Sequence, residues 1–216
     1  MTAIWLEINM SKNGFSLVEL LITLALSLTT ILMMMMLFKQ VGRVGISVTQ
    51  DAELDLQLET GILVAQKLLR GAGYGTGNRN DIVIDSYSEQ PAVFWRLRPD
   101  LEVEPVEIIC QGLTETVEQD QNMFVHRLLL LSSSSCSESA DLKSLNWSID
   151  NVLAKIRSEH EENIFNYKLE GECNPFGIKE IQGARKVIIT GKKKNITEGL
   201  GRFVQRAVCL NNISIM

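Results

Sequence analysis

The chain opens on an unbroken apolar run and then changes to short alternating patterns. From Phe15 to Phe38 nearly every position is Leu, Met, Ile, Ala or a small hydroxyl residue, with no proline. As an α-helix this run of 24 residues would be about 36 Å long, enough to cross a bilayer core of about 30 Å. A second stretch, 39–71, carries Ala52, Leu56, Leu58, Ile62, Ala65 and Leu69 at a spacing near 3.6. Acids cluster at its start and Lys67 and Arg70 at its end, matching a helix dipole. Gly42 and Gly45 weaken the join, so a soft point between two halves of one helix, or a simple kink at the membrane surface, is expected there. Beyond residue 72, apolar segments separated by Gly, Pro, Asn and Ser predict strands at 82–85, 92–97, 106–110, 124–131, 165–169, 186–190 and 203–210. Leu142, Leu145, Ile149, Val152 and Ile156 recur at helical spacing and predict a second helix over 141–157. The fold class expected is α+β, a long N-terminal helix packed on an antiparallel β-sheet.

Charge and composition narrow the function. A formal charge of -5 argues against nucleic acid as the main partner. Lys192, Lys193 and Lys194 after Gly191 read as a solvated hairpin tip. The Gly-rich stretch 71–77 follows a helix rather than a strand, so it reads as a helix-ending turn and not a phosphate loop. Cys110, Cys136, Cys173 and Cys209 include no C-x-x-C pair, and zinc-type spacing is absent. They fit two disulfides in an oxidising compartment, with buried free thiols as the other reading. Three pairings are open, and sequence order favours Cys110–Cys136 with Cys173–Cys209. His126 sits in a strand pattern and His160 in a charged run, both read as structural or surface residues. No catalytic arrangement stands out, so neither an enzyme nor a cofactor is expected.

One residue resists the generic readings. Glu19 places a carboxylate inside the apolar run. A signal peptide would have a shorter apolar region and a small-residue cleavage site. A buried core helix is rarely this uniformly apolar, and a plain signal anchor leaves the charge unexplained. A carboxylate in a membrane helix costs a few kcal/mol, on the order of 3 at the centre, and needs a partner. A new chain end at Phe15 would put an α-amino group one helical turn away, beside the positive end of the helix dipole.

The stretch KNGFSLVELL, Lys12 to Leu21, resembles the prepilin signature of type IV pilins and type II secretion pseudopilins. The resemblance implies cleavage between Gly14 and Phe15 by a prepilin peptidase and N-methylation of Phe15. It also implies that Glu19 pairs with the terminal amine of a neighbouring subunit during assembly. The segment QKLLRGAGYGTGN, Gln66 to Asn78, resembles PilW-type minor pilins around Ala72-Gly73-Tyr74, although Thr76 and Gly77 stand where a cysteine often follows. The implied division is a leader at 1–14, a transmembrane and filament-core helix at 15–38, its amphipathic continuation at 39–71, and a periplasmic or extracellular β-rich domain at 72–216. The implied role is a minor pilin that enters a type IV pilus or primes its assembly, with adhesion, motility and DNA uptake all open. The implied partners are the peptidase, other major and minor pilins, the inner-membrane assembly platform and the membrane itself. A J-type pseudopilin at the tip of a secretion pseudopilus is the alternative, and a signal-anchored periplasmic enzyme or binding protein the remote one. The leader is unusually apolar at Ile4-Trp5-Leu6, whereas MSKNG from Met10 would make a short basic leader, so translation from Met10 is expected. Lys12 before the span and Lys39 and Arg43 after it give no clear charge bias, and the cytoplasmic N-terminus follows from the resemblance.

Overall fold

A computed structural model describes residues 16–100, 102, 107–173, 184–193 and 202–214. Helix α1 runs from Leu17 to Leu69 without a break at Gly42 or Gly45. The chain divides into two units at Asp51/Ala52. In the first unit the described apolar side chains of α1, from Leu17 to Val48, are exposed. In the second unit the last turns of α1 and the eight described strands share a common core, and a 3-10 turn at Arg79–Asp81 leads into the first strand.

The strands are β1 (Ile82–Tyr87), β2 (Gln90–Leu97), β3 (Ile109–Asp120), β4 (Met123–Ser133), β5 (Ser148–Ser158), β6 (Phe165–Cys173), β7 (Ala184–Lys193) and β8 (Arg202–Ser214). The first five form one antiparallel sheet in chain order and the last three a second. Consecutive strands therefore pair through hairpins, the pattern expected when one face of each sheet is buried. The inner faces contribute Trp95, Leu113, Leu128 and Ile156 from one sheet and Tyr167, Val187, Ile189 and Val208 from the other. Leu58, Ile62, Ala65 and Leu69 of α1, spaced at three and four residues, complete that core. Gly61 on the same helix allows close approach, since a Cβ there would lie 2.8 Å from the Ala154 Cβ. The helix ends in a turn at 70–76, where Gly73 adopts φ +72°, a left-handed conformation that suits glycine.

The second helix expected at 141–157 is absent. Residues 141–145 form turns and Ser148–Ser158 is β5, paired with β4. Register shifts at Leu128/Leu129 and Leu130/Leu131 leave Leu153 and Asp150 as extra residues on β5. Each extra residue advances the apolar spacing by one, so a period of two imitates a period near 3.6. The β-branched Ile149, Val152 and Ile156 favour the strand, and the edge of β4 offers backbone partners. The strand expected at 106–110 is instead β3, and most of it lies in the polar sequence that follows. Val106 lies outside the described residues.

A second apolar cluster lies on the outer face of the five-stranded sheet. Ala92, Phe94, Cys110 and Leu131 are covered by Leu142, Leu145 and Trp147 from the β4–β5 connection. That connection is fixed at several points. Cys110 is disulfide-bonded to Cys136, and Trp147 stacks on Phe94 with ring centroids 4.6 Å apart. Buried Arg96 donates from Nη1 to the Ser137 carbonyl at 2.7 Å and to the Glu138 carbonyl, and from Nη2 to the Ala140 carbonyl at 2.6 Å. Its Nε lies 3.1 Å from Asp81 Oδ1, an ion pair without hydrogen-bond alignment. Asp81 also accepts the Asn78 N–H, closing a capping box on the 3-10 turn. One guanidinium thereby joins β2, the turn before β1 and the covering loop.

Candidate functional site: the start of the apolar helix

Ser16 precedes α1, and its carbonyl accepts the N–H groups of Glu19 at 2.9 Å and Leu20 at 3.2 Å. Glu19 therefore lies in the first helical turn, where unpaired N–H groups and the helix dipole favour a carboxylate. The side chain is exposed, and among the described residues no cation pairs with it. Gly14 and Phe15, the residues flanking the expected cleavage point, lie outside the described residues.

Beyond Glu19 the next charge is Lys39, so Leu20 to Phe38 is an uncharged stretch of 19 residues. At the helical rise that is about 28 Å, close to a bilayer core. The wider segment Leu17–Ile46 contains an 18-residue window with a mean hydropathy of 2.3 and is long and apolar enough to cross a membrane. Its hydroxyls are satisfied within the helix. Thr23 donates to the Leu20 carbonyl, Ser27 to Leu24, Thr29 to Leu26 and Thr30 to Ser27, at 2.8–2.9 Å. No hydroxyl in this stretch then requires water, and Glu19 is the one charged side chain between Leu17 and Phe38.

The cysteines lie far from this region in sequence. Cys173 is bonded to Cys209, linking β6 to β8 across the intervening β7. His126 is fully buried on β4. Its Nδ1 lies 2.6 Å from Glu115 Oε1 on β3, and its Nε2 lies 2.9 Å from the His160 carbonyl. A carbonyl only accepts, so Nε2 is the donor to His160, and Nδ1 faces the Glu115 carboxyl group. Glu115 also accepts the N–H groups of Ile164 at 3.1 Å and Phe165 at 2.9 Å. Burial, reinforced by the nearby Glu115 charge, holds the Tyr167 phenol far above its usual range. This cluster clamps the connection between the two sheets and, being closed to solvent, is structural. Sequence reasoning passed over Glu115 because it looks like any solvated acid in an alternating polar strand.

No protein-family model, curated protein or solved structure matches the chain.

Proposed function

We propose that the chain is a pilin-class assembly subunit, of the PilW-type minor pilin kind. In this reading it is held in the inner membrane by α1 with its β-rich unit in the periplasm. A prepilin peptidase cuts between Gly14 and Phe15 and methylates Phe15. The freed helix then leaves the bilayer to bundle with other pilins in a type IV pilus. The observation that carries the reading is a carboxylate one turn into a helix whose next 19 residues hold no charge. A purely lipid-anchoring helix gains nothing from Glu19, whereas a helix that must register against the amine of a neighbour needs a group of its sign and depth.

Glu19→Gln keeps size and hydrogen bonding while removing charge. The proposal expects the variant to insert in the membrane and be processed normally but to be lost from sheared pili. Incorporation of Glu19→Gln at the wild-type level would refute the role of the charge.

A further inference from the structure

The outer face of the three-stranded sheet carries a shallow trough of about 320 Å³. Its floor is a row in register across all three strands: Asn166 opposite Thr190, and Thr190 opposite Gln205. Among the described residues these two amides and one hydroxyl have no hydrogen-bond partner for their side chains. One flanking row is Lys168, Ile188 and Ala207, and Lys186 and Glu170 lie beyond it. The other flank is Lys192 opposite Phe203, whose ring is 65% exposed. From Lys186 to Lys192 this face of β7 runs about 20 Å, and three strands make the sheet about 10 Å wide.

The charge here opposes that of the chain as a whole. Three lysines face one acid, Glu170, which is ion-paired to Lys168 at 3.0 Å and to Lys186 at 3.1 Å. Lys192 remains exposed at the other end, with no carboxylate partner among the described residues. The middle is built of short polar side chains, with no deep apolar pocket of the kind that fixes a peptide side chain. It is also the face of a sheet and not its edge, so a peptide cannot add as a further strand here. Amides donate and accept at once, which matches the vicinal hydroxyls of a sugar. An exposed phenyl face suits the C–H surface of a pyranose, and a lysine at the end suits a carboxylate.

We propose that this trough is a binding site for an acidic polysaccharide, with uronate-type sugars lying along β7. Asn166, Thr190 and Gln205 hold ring hydroxyls, Phe203 stacks on a ring, and Lys192 reads the carboxylate. The inference does not rest on the pilin-class reading, since it uses only the three-stranded sheet.

The test is calorimetric titration of the full chain in detergent micelles with tetragalacturonate, maltotetraose and a tetraglutamate peptide. Saturable binding of tetragalacturonate is expected, weakened at least tenfold by Lys192→Glu and by Asn166→Ala with Gln205→Ala, and unchanged by Lys155→Glu on β5. Should Lys192→Glu misfold, Lys192→Gln reads the same charge with less disturbance. No binding, or binding that these variants leave intact, overturns the proposal. Equal binding of maltotetraose overturns the acidic class, and tighter binding of tetraglutamate assigns the trough to an acidic peptide instead.

Discussion

Removing the carboxylate of Glu115 is expected to be among the costliest single changes in the β-rich unit. Glu115 and His126 are both buried, and a 2.6 Å hydrogen bond joins them. Glu115→Ala strands the imidazole and leaves the N–H groups of Ile164 and Phe165 without an acceptor. Breaking a buried pair from one side costs about 3–5 kcal/mol, and each orphaned amide about 1–3. Relaxation and water entry overlap these terms, so a total of about 4 kcal/mol is the working figure. Glu115→Gln keeps one oxygen for His126 and Ile164 but turns an amide NH₂ toward the Phe165 N–H, and about 2 kcal/mol is expected. The double variant Glu115→Leu with His126→Leu removes both polar side chains yet still orphans the two backbone amides, so it should not regain full stability. Urea unfolding of the full chain in micelles, followed by tryptophan fluorescence, measures all three. Hydrogen exchange at Ile164 and Phe165 should accelerate in each variant. A loss below about 1 kcal/mol for Glu115→Ala, with exchange unchanged, would refute the reasoning.

Other perturbations test separate parts of the account. Gly61→Ala should destabilise the protein by about 1–2 kcal/mol despite better helix propensity, because its Cβ would meet Ala154 at 2.8 Å. Gly42→Ala and Gly45→Ala meet nothing and should each stabilise α1 by about 0.5–1 kcal/mol, readable as slower amide exchange. Opening the Cys110–Cys136 bridge, which spans 26 positions, by Cys110→Ser with Cys136→Ser should lower the unfolding free energy by about 3 kcal/mol and free the 137–147 loop to proteolysis. Glu170 is held below the usual carboxylate range by hydrogen bonds from Lys168 and Lys186. A lowered folded pKa gives stability that is present above the unfolded value, roughly pH 4, and lost as pH falls through the folded one. The advantage of wild type over Glu170→Gln in thermal melts should therefore shrink on acidification and in high salt.

How much of this was legible in the sequence depends on the range of the interactions involved. The apolar run and the stripe through Leu58, Ile62, Ala65 and Leu69 are local signals, and α1 carries both. The α+β class followed from them and from the alternating segments after residue 80. β5 was misread because its two bulges stretch an alternating pattern into a helical one, and a bulge depends on the partner strand. β3 was misplaced because its buried Thr114 and Glu115 are polar and are made acceptable only by partners 11 to 50 positions away in sequence. Arg96 is similar: its carbonyl partners lie more than 40 positions downstream, in a loop with no pattern of its own. The prepilin resemblance rests on ten contiguous residues, and Gly14 and Phe15 fall outside the described residues.

The central claim is that Phe15 becomes a chain end beside Glu19. The most direct test is the mass of the N-terminal peptide from cells with and without their prepilin peptidase. The account predicts a methylated peptide beginning at Phe15 that disappears when the peptidase is removed. An uncut peptide, beginning at Met1 or Met10 in both strains, would contradict it and leave α1 as a plain membrane anchor.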